Sequence, residues 1–164
     1  MKKGISAVSL LVSLSFIFLV CNDKPTEPSE TITAKPVVKK TSINYDQVSF
    51  IHSFPDTASL NSISTSYTNN YTEELRCKIL DYMKGEVDKL GEDVNIFDSI
   101  LNITGCKQSG GYMLPTYAEK AQYENQDAWV FQVTYGLGEP NFGHFRCFVF
   151  SAASLDTLIF IQCR

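Results

Sequence analysis

The side chains able to do chemistry are few and scattered. Two histidines, His52 and His144, serve the whole chain. A general base needs a neighbouring nucleophile or carboxylate to work with. His144 lies near Glu139 and Arg146, at the end of a loop. Five acids, Asp81, Glu86, Asp88, Glu92 and Asp93, follow one another along and just after a helical stretch. A glycosidase could use two such carboxyls, but acids at this spacing ordinarily form a solvated helix face. Gly136, Gly138 and Gly143 do not make a phosphate loop, because no Lys-Ser/Thr pair opens a helix after them and a strand follows instead. No Cys/His cluster has the spacing of a zinc site. The chain therefore commits to no reaction, metal or cofactor. A hydrolase using His144 or the helix carboxylates, and a purely structural component, stand as alternatives to a binding protein.

Binding is better served. The stretch from Gly136 to Gly143 holds three glycines and Pro140 between two alternating segments, which reads as a long hairpin connection. Long loops on a rigid sheet are common contact sites. Leu137, Pro140, Asn141, Phe142 and His144 are the residues expected to make the contact.

The N-terminus carries an address. Lys2 and Lys3 precede an apolar run from Ile5 to Val20, which stops at Cys21 before Asn22, Asp23 and Lys24. A charged start, a short apolar run and an abrupt polar stop describe a secretory signal. With Phe18, Leu19, Val20 and Cys21 at the junction, residues 1–21 resemble a bacterial lipoprotein precursor. That resemblance implies an acylated Cys21 as the mature N-terminus, a membrane anchor and a place in the cell envelope. Export favours oxidation, so Cys77, Cys106, Cys147 and Cys163 are read as two disulfides. A regular hairpin centred near Leu155 would set Cys147 opposite Cys163, leaving Cys77 with Cys106 by elimination.

The elements that must position these residues follow from composition and period. Residues 1–20 form the signal, 21–43 a flexible tether and 44–164 one domain. The stretch from Asn22 to Ile43 has three prolines and no aromatic residue, too little apolar surface to offset ordering. From Asn44 onward there are eight Lys and Arg against fifteen Asp and Glu, a net charge of −7. An acidic domain is repelled by phosphate backbones, which argues against nucleic acid as a partner. Tyr45 to Phe54 alternates weakly, as a short strand would. Over 57–72 the apolar spacing suggests a helix while the Ser, Thr and Asn content suggests a loop. Thr72 to Leu90 is the clearest helix, with Thr72 to cap it, Glu73 and Glu74 in the first turn and Gly91 after it. Glu92 to Ile103 suits a second helix. The period then changes to two over Lys120–Tyr123, Trp129–Tyr135, Phe145–Phe150 and Leu158–Cys163.

Helices first and strands last predict an α+β fold, with N-terminal helices packed on a C-terminal antiparallel meander and disulfides bracing it. A helix followed by such a meander is similar to the cystatin architecture, with Gln132 and Gly136 at the ends of its Q-x-V-x-G hairpin; no inhibitory residues carry over. A mobile tether implies early proteolysis near Lys35, Lys39 and Lys40.

Overall fold

The computed structural model describes residues 34–53 and 57–163. The expected signal, Cys21 and the stretch to residue 33 lie outside the described residues. The element order is β1 (Val37–Tyr45), α1 (Gln47–Ser53), α2 (Thr57–Asn70), α3 (Glu73–Lys89), α4 (Val94–Ile103), β2 (Met113–Tyr123), β3 (Gln126–Tyr135), β4 (His144–Ser151) and β5 (Thr157–Cys163). The fold is α+β, with four helices and one five-stranded sheet in the order β1-β2-β3-β4-β5. β2 to β5 form the expected antiparallel meander. β1 departs from expectation: it precedes the helices and pairs with β2 in parallel. Parallel neighbours need a crossover, and the four helices supply it.

β1 occupies the last part of the stretch read as tether. Its sequence, VVKKTSINY, is polar and its side chains are mostly exposed, as suits an edge strand. What it lacks in apolar surface it makes up in paired polar groups. Lys40 reaches Glu92 at 2.6 Å. Thr41 and Tyr45 donate hydrogen bonds to Glu119, whose side chain is fully buried in β2, and Tyr117 donates a third. Lys39 lies 3.8 Å from the same carboxylate. Burial, followed by the Glu119 charge, pushes the Tyr45 phenol well above its ordinary pKa; burial and the Glu119 hydrogen bond do the same for Tyr117. Backbone pairing therefore shields Lys39 and Lys40, where early proteolysis was expected.

The segment expected to be a strand from Tyr45 is instead the end of β1 followed by α1, whose Asp46 accepts a hydrogen bond from the Ser49 N–H at 2.7 Å. The ambiguous 57–72 region is helix, with Ile63, Ser64 and Tyr67 as its buried side. α3 begins as its sequence predicts: Thr72 Oγ1 accepts from the Leu75 N–H at 2.9 Å, and Gly91 takes φ 72° after the end. Asp93 caps α4 through the Asn95 N–H at 2.8 Å.

The period of two divides the sheet into two faces. Trp129, Phe131, Val133 and Phe150 join Leu80, Met83 and Val87 of α3 and Phe97, Ile100 and Leu101 of α4. Ala128, Val130, Cys147 and Val149 join Tyr45 and Phe50 on the other face. Ile63 and Tyr67 of α2 pack with Ile79, Leu114 and Phe142 as a third group.

Neither of the two expected disulfides is found among the described residues. Cys106 and Cys147 are buried, and neither is joined in a disulfide. Cys77 does not titrate as a thiol, and its partner is neither of these two. The hairpin register explains the failure at the sheet. Cys147 lies opposite Ile161 and Cys163 opposite Phe145, with an irregularity between Val149 and Phe150. A diagonal pair in such a ladder sits about 7–8 Å apart, beyond ordinary disulfide reach. Burial pushes the Cys106 thiol up to about 12, which keeps it from reacting as thiolate.

Two outcomes are expected. Alkylation without reductant labels neither Cys106 nor Cys147 in the native protein and both after denaturation; a mapped peptide joining Cys77 to Cys106, or Cys147 to Cys163, would contradict it. Glu119→Gln replaces an acceptor of three hydroxyls with an amide that turns two hydrogens toward them. It should cost about 1–3 kcal/mol in urea unfolding, with β1 amides exchanging faster. Wild-type stability in that variant would show that the network does not hold β1.

Candidate functional site

A groove of about 420 Å³ opens between the segment leaving α4 and the loop joining β3 to β4. Gln108, Tyr112, Met113, Tyr135, Leu137 and Arg146 line it, together with glycine backbone. Each wall has a local cause. α4 ends at Thr104, and Gly105 and Gly110 then adopt φ 79° and 71°, a left-handed geometry costly for other residues. The resulting turns are closed by N–H groups of Gln108 and Gly111, donating to Gly105 and Gln108 carbonyls at 3.1 Å each. Glu73 anchors this wall from α3. It accepts from the Gly110 N–H at 3.1 Å, the Tyr71 hydroxyl at 2.9 Å and Arg76 Nε at 2.7 Å. Burial raises the Glu73 pKa, but these donors outweigh it and hold the carboxyl below its usual range.

The opposite wall is the 136–143 loop. The Gly136 N–H donates to the Tyr112 carbonyl at 2.9 Å, tying the two walls together. The Phe142 N–H donates to Thr68 Oγ1 at 3.0 Å, fastening the far end of the loop to α2. Between these points the chain folds so tightly that a Cβ on Gly136 would lie 2.0 Å from the Glu139 carbonyl oxygen.

The floor comes from β3 and β4. Register places Tyr135 opposite His144 and Val133 opposite Arg146, so Tyr135, His144 and Arg146 share the face that carries Trp129 and Phe131. The Arg146 guanidinium lies 4.3 Å from the Tyr135 ring centre, and the His144 ring lies 5.3 Å from it at 33°. Gln162 Nε2 donates to the Tyr135 hydroxyl at 2.7 Å. Arg146 Nε is buried with no hydrogen-bond acceptor.

The residues expected to make contacts are dispersed by the fold. Leu137 is 72% exposed at the groove. Asn141 is exposed and Pro140 half-buried. Phe142 is buried against Tyr67 and Tyr71, at ring separations of 6.2 and 5.4 Å, so it anchors the loop instead of meeting a partner. The helix acids are largely occupied. Asp81, Glu86 and Glu92 pair with Lys84, Lys89 and Lys40, and Asp93 is a cap. The residues of the cystatin-like hairpin, Gln132 to Tyr135, lie inside β3 and are buried, so they cannot enter a protease cleft. Among the described residues, no group of three His, Cys, Asp or Glu is placed to hold a metal.

Sequence reading did not single out Tyr135, Tyr112 and Gln108 for the groove, and it placed Arg146 only near His144 at the end of a loop. One signal was present: Arg146 is the single Lys or Arg between Lys120 and Arg164, set in an otherwise apolar strand.

No protein family, curated protein or solved structure matches the chain. The groove must be read from its own chemistry.

Gly136→Ala tests whether the loop geometry is required. Because both the Glu139 oxygen and the Asn141 nitrogen that crowd the new methyl are backbone, the loop must move. The expected loss is about 1–3 kcal/mol in denaturant unfolding. A variant as stable as wild type would mean that the loop adapts freely and does not form a fixed wall.

Proposed function

We propose that this is an exported envelope protein, lipid-anchored through Cys21, whose folded domain binds another protein or envelope component through the groove beside Tyr135 and Arg146. The single observation that carries the binding reading is the construction of that groove: two glycine-rich walls, hydrogen-bonded to each other and to α2 and α3, enclose a cationic and aromatic floor. Leu137 gives the groove an apolar edge in water. The anchoring part rests on the signal-like N-terminus and the position of Cys21. A hydrolase reading has less to work with. The His144 ring lies against Tyr135, and four of the five helix acids are engaged in ion pairs or a cap.

Two measurements test the parts separately. Cys21→Ser should move the protein from the membrane to the soluble fraction, and intact mass should show the acyl chains in wild type; an unmodified thiol in a membrane-bound protein rejects the anchor. A photo-crosslinking amino acid at Leu137 should give a discrete adduct in intact cells. The same group at Val48, which is 66% exposed on α1, should not. Equal labelling from both positions defeats the groove as the binding site.

A further inference from the structure

Most cations among the described residues are paired with a carboxylate; Lys35 and Arg146 are not, and Arg146 lies in the groove. Among the described residues, Lys39, Lys40, Arg76, Lys78, Lys84, Lys89, Lys107 and Lys120 each lie within 4 Å of a carboxylate. Lys35 rests over the Tyr82 ring. Arg146 has the Tyr135 ring beneath it and no carboxylate among the described residues, although acids outnumber bases in the domain. Its Nε is a buried donor without an acceptor. Such a group costs stability wherever it is left, since desolvation is not repaid.

From this we infer that the groove recognises a carboxylate carried next to an aromatic or apolar group, with Arg146 as its counter-ion. The inference rests on the binding reading above and names the ligand chemistry of the same site. A guanidinium offers a planar fork that takes both oxygens of a carboxylate, and the Tyr135 stack and Gln162 hydrogen bond hold that fork in place before the ligand arrives. Preorganisation of this kind lowers the ordering cost of binding. Gln108 on the facing wall adds an amide able to donate to the same anion. Tyr112, Met113 and Leu137 supply apolar surface for the neighbouring group. A carboxylate is favoured over a phosphate by charge. One arginine balances a monoanion, whereas a dianion would meet the unbalanced acidity of the surrounding domain.

The probes are N-acetyl-phenylalanine, its C-terminal amide, and phenyl phosphate, each titrated into the folded protein and followed by nitrogen-proton NMR. The free acid should shift the Arg146 Nε–H and the Gly136 and Gly138 amides saturably, and the amide probe should not. Arg146→Gln should weaken the acid about ten- to a hundredfold, the usual loss of a charge-assisted pair, with the rest of the spectrum retained. Arg146→Lys keeps the charge but not the fork, and should fall between the two. Equal binding of acid and amide, no saturable shift up to the solubility limit, or tighter binding of phenyl phosphate would each overturn the inference. Loss of the Leu137 crosslink would instead remove the binding reading, so the two failures are distinguishable.

Discussion

The Glu119 carboxylate is the interaction on which the sheet's architecture turns. It is fully buried, yet three hydroxyls, from Thr41, Tyr45 and Tyr117, point at it, and two of them come from β1. A buried carboxylate is expensive unless its lone pairs are met. Here the cost and its compensation lie on different strands, so the charge is tolerable only while β1 is docked. This makes a polar strand, which could not hold an edge by apolar burial, an obligatory part of the domain. It also fixes the parallel register, because Lys39 stands opposite Glu119 and Tyr45 opposite Tyr123. Once β1 is placed, the chain must cross back over the sheet to reach β2, and the four helices fill that crossover.

The consequence for the groove runs through β2. β1 holds β2 from Tyr117 to Tyr123 and β3 holds it from Met113 onward, with an irregularity between Pro115 and Tyr117 that resets the pairing with β3. Beyond it, Leu114 packs with Tyr67 and Phe142, and the Tyr67 hydroxyl donates to the Pro115 carbonyl at 3.1 Å. The same end of β2 presents Met113 and Tyr112 to the groove. Both groove walls are thus tied to the region where α2, α3 and the sheet end meet.

How much of this the sequence reveals depends on where each element draws its stability. α3 is legible because its cap, first-turn acids and terminal glycine act locally; the Glu74–Lys78 pair at 2.7 Å is local too. β3 is legible because Trp129, Phe131 and Val133 must alternate to reach the helices. β1 is not, since its hydrogen-bond partner Glu119 lies more than seventy residues away and its own composition resembles a linker's. α2 sits between these cases. Its Ser and Thr content disfavours a helix, yet Ser64 donates to Thr134 at 3.0 Å and Thr68 holds the Phe142 amide, so its polar groups serve tertiary contacts. The last hairpin shows a different limit. Its two strands are plain in the sequence, but the turn residue Leu155 takes φ 61° and the ladder is centred one residue before it, so Cys147 faces Ile161 instead of Cys163.

Arg146 illustrates why the groove itself was hard to read. In sequence it is a charged residue at the start of a strand, where a solvated side chain is the ordinary outcome. Its actual setting follows from period two: Val133, opposite it, belongs to the helix-covered face, so Arg146 is directed onto the same face one step past the apolar core. There it meets Tyr135, whose own position opposite His144 and hydrogen bond to Gln162 leave the ring flat beneath the guanidinium. A stack of this kind satisfies the guanidinium's face but none of its N–H groups, which lie in its plane. The aromatic neighbour therefore fixes the orientation of the charge while leaving its hydrogen-bonding capacity unspent. That combination, a cation held rigidly but not neutralised, separates Arg146 from the eight paired cations of the same domain.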